Sequence, residues 1–174
     1  MEDLSYPIGK FTSMDFSDDL LQERILHLKE VPQRIEYAIT NLDAAQLHTP
    51  YRPGGWTVHE LVHHMADSHM NAYIRFKLGL TEDNPIIKTY DQDAWAKLND
   101  SMQLPINVSL TLLHALHIRW HEMLRNLTKA DFEKTIFHPE HEKTITLWNL
   151  LGTYVWHGLH HEAHILGLRK RNNW

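Results

Sequence analysis

Apolar residues recur every three or four positions along four long segments of the chain, which is the spacing of one face of an α-helix. The pattern predicts helices over residues 17–41, 57–78, 108–127 and 147–169. Pro32 lies inside the first segment and has no backbone N–H, so we expect a kink there or two shorter helices. The second segment begins at Thr57, three residues before Glu60, which matches a capping box.

The segments between these helices are predicted to be short and mostly irregular. Residues 50–55 indicate a loop, residues 81–90 a connection, and residues 91–100 a short extra helix. Residues 132–146 alternate between apolar and polar types and turn near Pro139, which predicts a β-hairpin before the last helix. We therefore expect an all-α fold, a four-helix bundle with a short β-hairpin insertion, in one domain over residues 1–174.

The composition argues against several classes of protein. The net charge of −5 disfavours a nucleic-acid binder, because phosphate groups require a basic surface. The chain has no cysteine, which excludes disulfides, thiolate metal sites and a cysteine nucleophile. The N-terminal segment lacks the apolar stretch of a signal peptide, and no run approaches the roughly 18 apolar residues of a membrane span. We expect a cytoplasmic protein.

Histidine is the unusual component. The chain has 15 histidines, and they concentrate at residues 59–69, 114–121 and 157–164. Without cysteine, a metal site in this chain must use nitrogen and oxygen ligands, which histidine commonly supplies. The three clusters therefore contain the candidate metal ligands.

The first cluster contains an HExxH motif at His59, Glu60 and His63, and it places His69 where the longer metzincin pattern has a third ligand. That pattern has glycine where this chain has Ala66, because the helix must end there, whereas the helical spacing here continues. Glu60 is also explained as a helix-capping residue. On a helical wheel, His59 and His63 point away from the apolar stripe, toward solvent. We therefore disfavour an HExxH peptidase.

The last helix carries two histidine pairs at i, i+4 spacing, His160 with His164 and His157 with His161. Residues at this spacing share one helix face, so either pair can chelate one ion. The alternative is a layer of core histidines that satisfy one another without metal. A helical wheel places His161 nearest the core, but it does not choose between the pairs.

Other histidines are less decisive. His64 lies on a flank of the apolar stripe of the second helix and can reach into a bundle from there. His69 lies near the centre of the same stripe and can equally be a core residue. In the third helix His114 and His117 replace apolar residues, and we interpret His117 as a core residue or a neighbour of ligands.

Short motifs follow one another along nearly the whole chain. They lie at residues 6–9 (YPIG), 51–57 (YRPGGWT), 62–69 (VHHMADSH), 74–78 (IRFKL), 81–85 (TEDNP), 116–120 (LHIRW), 154–157 (YVWH) and 160–165 (HHEAHI). Their set and order resemble the DinB/YfiT-like superfamily of metal-binding four-helix bundles, in the YfiT-like branch that contains bacillithiol S-transferases and metal-dependent hydrolases.

The resemblance implies a ligand set and an assembly. The first ligand in that family is the histidine eight residues after the tryptophan of the W-T/S-V motif, which is His64 here. The other two form an H-x-x-x-H pair in the last helix, which corresponds to His160 and His164. Members often form homodimers, and the resemblance implies bacillithiol as the thiol substrate.

Three neutral imidazoles would leave a divalent ion its full charge and an open position, which is typical of catalytic sites. The ion would be zinc, or nickel as the second choice. It would activate either a small thiol, giving an S-transferase that detoxifies electrophiles, or water, giving a hydrolase. A structural ion in a dimeric bundle is the non-enzymatic alternative.

Several other side chains are candidates for the surroundings of the ion and for a substrate pocket. Asp67, Ser68 and His157 are the nearest candidates to orient ligands or substrate. Arg75, Arg119 and Trp120 are candidates to line a pocket for a carboxylate-bearing thiol.

Overall fold

The computed structural model describes residues 4–174. The long helices are α1 (Asp18–Ile39), α3 (Val58–Thr81), α6 (Ile106–Leu124) and α8 (Leu147–Asn172). Short helices lie in the connections: α2 (Ala44–Leu47), α4 (Gln92–Trp95), α5 (Asn99–Gln103) and α7 (Lys129–Glu133). Two antiparallel strands, β1 (Thr135–His138) and β2 (Lys143–Thr146), precede α8. The predicted helical bundle with a hairpin insertion is confirmed.

The long helices pack in an order that differs from their order in the chain. Helix α1 packs mainly against α6 and α8, and α3 packs mainly against the same two helices. Helices α1 and α3 are therefore diagonal in the bundle. Because α3 lies beside both α6 and α8, the histidines of all three clusters can meet inside the bundle.

Helix α1 runs without interruption through Pro32, which is buried. The expectation of two shorter helices is therefore wrong. A proline has no N–H to donate to the carbonyl four residues earlier, which here belongs to Leu28. The ring of His117 on α6 donates to that carbonyl instead, with 2.6 Å between Nδ1 and the oxygen.

The helix starts follow their capping signals. The Thr57 hydroxyl accepts from the backbone N–H of Glu60, and the Glu60 carboxylate accepts from that of Thr57, which confirms the predicted box. Periodicity predicts neither α2 nor α7, because helices this short do not reveal it. The same kind of capping box begins both of them, at Asp43 and at Thr128. The extra helix predicted over residues 91–100 consists of two short ones, α4 and α5.

The β-hairpin closes one end of the bundle. Its register pairs Thr135 with Thr146, and the Ile136 side chain is fully buried against the core. Gly79 of α3 makes room for this contact, because a Cβ there would lie 2.8 Å from Leu147 Cδ2 and 3.0 Å from Ile136 Cγ2. The hairpin thus packs on α3 at the point where α8 begins.

The apolar core consists of two clusters separated along the helices by a layer of histidines. One cluster contains Leu28, Phe76, Trp120 and Leu151, and the other contains Val31, Met65, Leu113 and Ile165. Between these levels the helices carry His69, His117, His157 and His161. Within residues 4–174, no helix is both long enough and apolar enough to span a bilayer.

Candidate metal centre

Five histidines from two packed helices form a cluster that includes His157 and His161 of this layer. His64 comes from α3, and His157, His160, His161 and His164 come from α8. In two sets of three, one ring nitrogen from each histidine lies within 4.8 Å of the others. The sets are His64 with His157 and His161, and His160 with His161 and His164. His161 belongs to both sets, so the five rings form one continuous cluster.

The structure distributes the predicted ligands over these two sets. His160 and His164 lie together with ring centroids 4.2 Å apart, as their spacing on one helix face requires. His64 lies beside His161, with 5.3 Å between ring centroids. Among the described residues, His64, His160 and His164 do not form such a set by themselves. The choice of these three as ligands therefore stays a prediction.

The cluster contains buried nitrogens without partners. The Nδ1 atoms of His160, His161 and His164 are buried and have no hydrogen bond in the described structure. Buried polar atoms rarely lack a hydrogen-bond partner, and coordination of a metal ion is one common way to satisfy them. At His164 the other ring nitrogen, Nε2, lies 3.2 Å from the Leu4 carbonyl. If Nε2 donates to that oxygen, Nδ1 carries the lone pair that a metal needs.

Burial keeps these rings neutral. Burial lowers the pKa of His64 to about 4, and burial together with the nearby His160 lowers the pKa of His164 to about 4. Burial also lowers the pKa of His157 and of His161 well below the usual value. At neutral pH each imidazole therefore offers one lone pair. A nitrogen-only set of this kind suits zinc or nickel.

The cluster opens onto two adjoining cavities. One, of about 460 Å³, is lined by all five clustered histidines and by aromatic residues of the N-terminal half, Tyr6, Tyr51 and Trp56. The other, of about 700 Å³, is lined by Arg75, Tyr90, His138 and Tyr154 among others. Both cavities are bounded by His157, Gln92 and Asp93. A bound molecule in either cavity would therefore reach the histidine cluster.

Three of the residues predicted to orient ligands or to line a pocket lie close to this opening or behind it. The buried Arg75 guanidinium donates to the Tyr154 hydroxyl and to the Lys88 carbonyl, each at 3.2 Å. Ser68 lines the same cavity. Trp120 is completely buried in the core, where it supports His69 through an edge-on ring contact.

Two other predicted residues lie elsewhere. Asp67 lines a small cavity with Asp100 on another side of α3, and burial and the Asp100 carboxylate raise the pKa of Asp67 to about 6. The Arg119 side chain is exposed over the Tyr73 ring, and it lines a cavity with His121 that none of the five clustered histidines reaches. A helical wheel places a residue on a face but does not show which neighbour covers that face.

The two histidines of the HExxH motif contact the segment around residues 104–109. His59 and His63 both point Nε2 at the Leu104 carbonyl, at 3.1 Å each, and Nδ1 of His63 lies 2.8 Å from the Ser109 hydroxyl. Both side chains are buried, so the expectation that they face solvent is wrong. The segment between α5 and α6 covers this face of α3, which the periodicity of α3 alone does not reveal.

A family model described as the DinB superfamily matches residues 27–165 of the chain. The chain belongs to the DinB superfamily. The matched range covers α1 from residue 27 onward, all of α3 and α6 and most of α8, and it includes all five clustered histidines.

Individual members of the DinB superfamily align over the full length. A Bacillus mycoides protein is 51% identical, with both chains fully covered, and carries the name "putative metal-dependent hydrolase". A Bacillus cereus protein of the same name is also 51% identical with both chains fully covered. Among solved structures, YfiT from Bacillus subtilis superposes with a TM-score of 0.96 at 48% identity over 99% of each chain. Its description is "a probable metal-dependent hydrolase with an unusual four-helix bundle topology".

The site of this DinB protein also uses residues for which sequence patterns gave no role. The Tyr51 ring stacks on His164 at 4.1 Å, and Trp56 lies 4.3 Å from His64. The Trp156 indole N–H donates to the Gly9 carbonyl at 3.0 Å, which holds the N-terminal segment against α8. These residues belong to the motifs at 6–9, 51–57 and 154–157. The sequence therefore marked their positions, but it did not indicate that they contact the histidines or hold the N-terminal segment.

Proposed function

We propose that this chain is a metal-dependent enzyme whose histidine cluster between α3 and α8 holds one divalent ion, zinc first and nickel second. The observation that carries the proposal is the convergence of five neutral imidazoles, three of which have a buried Nδ1 without a partner. Metal ligation would satisfy such nitrogens, and both ions accept imidazole ligands.

Within the cluster we propose His64, His160 and His164 as the ligands. The resemblance to the YfiT-like branch supports this set. The bond from His164 to the Leu4 carbonyl supports it also, because metal-bound histidines usually donate their other ring nitrogen to an oxygen. His161 then lies between the two parts of the set, and it is the residue most able to replace one of them.

An ion bound here would lower the pKa of a coordinated water or thiol toward neutrality. The chain's own residues would do the rest. The rings of Tyr51 and Trp56 cover the ligands and exclude water from one side. The Arg75 guanidinium and the Tyr154 hydroxyl offer donors to a substrate in the larger cavity.

We propose that the reaction is transfer of a small thiol, of the bacillithiol type, to an electrophile. The thiol sulfur would form a bond to the electrophilic carbon, the leaving group would depart with the bonding electrons, and the thiol proton would pass to solvent. Two cavities that meet at His157 support this choice, because a transferase must seat two molecules at once. The resemblance to bacillithiol S-transferases supports it independently.

Hydrolysis by an activated water is the second candidate. It is supported by the names of the Bacillus relatives and of YfiT, each of which contains the words metal-dependent hydrolase. A hydrolase would use the same ion and the same histidines, with water in place of the thiol.

Metal analysis followed by paired activity assays tests the proposal. The purified protein should carry about one zinc or nickel per chain, and it should conjugate bacillithiol to a model electrophile faster than it hydrolyses a model ester. The variant His64→Ala should lose the ion and the activity. His114→Ala is the matched control, because His114 pairs with Glu36 on the outside of the bundle and should change neither. Ester hydrolysis without conjugation would favour the second candidate, and metal-free protein with full activity would contradict both.

Removal of the ion separates an enzymatic from a structural role. We expect dialysis against a chelator to abolish activity while the far-ultraviolet circular dichroism keeps its helical signal, because two apolar clusters hold the bundle on either side of the histidine layer. Added zinc should restore the activity. Loss of the helical signal on chelation would show that the ion is structural.

A further inference from the structure

A line of hydrogen-bonded rings leads from the main chain of α1 to the metal centre. It begins at the Leu28 carbonyl, which Pro32 leaves without its helical donor and to which His117 Nδ1 is bonded at 2.6 Å. His117 Nε2 lies 3.0 Å from His69 Nδ1, and His69 Nε2 lies 3.1 Å from His157 Nδ1. His157 Nε2 then faces His64 Nε2 at 3.3 Å.

A carbonyl oxygen can only accept, so the first bond determines all the others when the rings are neutral. His117 must carry its proton on Nδ1, which leaves a lone pair on Nε2. His69 must then donate from Nδ1 and accept at Nε2. His157 must donate from Nδ1, and its Nε2, which faces the metal centre, must carry a lone pair.

The surroundings of His69 and His117 keep both rings neutral, so that each carries a proton on only one of its two nitrogens. His69 is completely buried and His117 nearly so, and His69 meets the edges of the Trp120 and Tyr154 rings. Burial lowers the pKa of His69 well below the usual value and that of His117 to about 4. Within residues 4–174, neither ring forms an ion pair with a carboxylate.

We propose that the Leu28 carbonyl, freed by Pro32, fixes the tautomers of His117, His69 and His157 in succession, so that His157 presents only an acceptor nitrogen to the metal centre. His117 and His69 are thereby positioning residues that act through His157. Neither of them reaches the cavities beside the cluster that His157 lines.

The proposal adds a requirement to the metal centre. An acceptor at His157 Nε2 can take a hydrogen bond from an O–H or S–H group, or it can bind the ion, but it cannot donate to an anion. Its 3.3 Å separation from His64 Nε2 matches the distance of about 3.3 Å between two nitrogens on a tetrahedral zinc with bonds of about 2.0–2.1 Å. Only this consequence rests on the proposed function. The tautomers themselves are a property of the metal-free protein.

Nitrogen-15 spectroscopy of the metal-free protein at pH 7.5 tests the tautomers directly. Long-range proton–nitrogen correlation spectra distinguish Nδ1–H from Nε2–H rings. We expect Nδ1–H for His117, His69 and His157. A proton on Nε2 of His157 or of His69 would overturn the proposal, whether or not the protein binds metal.

A variant pair tests the transmission along the line. His117→Leu removes the ring that joins Leu28 to His69, and we expect the Nδ1–H preference of His157 to be lost and zinc affinity to fall about 10-fold or more. His121→Leu on the same helix is the control and should change neither, because His121 is outside the line. An unchanged His157 tautomer in folded His117→Leu would overturn the proposal. If that variant does not fold, the wild-type spectra decide. If neither the wild type nor His117→Leu binds zinc, the proposed function is contradicted, but the tautomer assignment is not affected.

Discussion

At the scale of single residues, the neutral state of the buried histidines is the property on which the site depends. Within residues 4–174, the buried rings of His69, His117, His157 and His161 form no ion pair with a carboxylate, so burial favours the neutral imidazole. The sequence could indicate which histidines share a helix face, but it left the roles of His69 and His117 open. Both are buried in the core. The sequence could not show that they bond to each other, because that contact joins residues of two helices that are 48 positions apart in the chain.

The buried His117 predicts a pH dependence of stability in the metal-free protein. Burial lowers its folded pKa to about 4, from the usual histidine value of 6.5. Between pH 4 and 6.5 the His117 ring is protonated in the unfolded chain but stays neutral in the folded chain. The stability that depends on the neutral ring is therefore complete above about pH 6.5 and is lost as the pH falls toward 4. The slope is up to about 1.4 kcal/mol per pH unit for one such ring.

Urea unfolding of metal-free protein between pH 7.5 and 5 measures this effect. The free energy of unfolding should fall with decreasing pH, and less steeply in His117→Leu than in the wild type. The exposed variant His114→Ala should keep the wild-type slope. Equal slopes in wild type and His117→Leu would show that His117 is not held neutral by burial.

At the scale of secondary-structure elements, α3 shows most clearly what local signals determine. Its capping box and apolar spacing predicted its start at Thr57 and its long continuation. The same helix also contains the HExxH motif, and its local pattern did not reveal that His59 and His63 contact residues 104–109. In helix α1 the local signal was misleading. Pro32 predicted a break, but the helix continues because His117 of α6 supplies the hydrogen-bond donor that the Leu28 carbonyl lacks.

The cap of α3 predicts the effect of Thr57→Ala. Loss of the hydroxyl leaves the Glu60 N–H without its acceptor, and the free energy of unfolding should fall by about 1 kcal/mol. Thr111→Ala is the control, because that hydroxyl only donates back to the Asn107 carbonyl within α6. A loss no larger than that of the control would show that the box does not stabilise α3.

Glu60 itself separates the cap from the peptidase interpretation. Glu60→Gln keeps an acceptor oxygen for the backbone N–H of Thr57, and we expect metal content and conjugation activity to stay at wild-type levels. A peptidase of the HExxH type would instead lose its general base while retaining its metal. Detection of peptidase activity that this substitution abolishes would contradict our account of α3.

At the scale of the whole molecule, the bundle order makes the site possible. Helices α3 and α8 carry the first and last histidine clusters, and they pack side by side although about 65 residues separate them. Periodicity predicted the helices but not this pairing, which depends on how the connections cross the bundle. The cavities beside the cluster were unpredictable for the same reason. The walls of the larger one come from α3, α4, the hairpin and α8, and those of the smaller one from the N-terminal segment, the loop before α3, α3, α4 and α8.

The central claim is that imidazoles of α3 and α8 hold one ion between them. Anomalous diffraction from crystals of the zinc-loaded protein measures this most directly. We predict one zinc per chain with bonds of about 2.0–2.1 Å to a nitrogen of His64 and to nitrogens of at least two of His160, His161 and His164. Zinc found only at His59 and His63, only at His138 and His141, or bound by α8 without His64, would contradict the account.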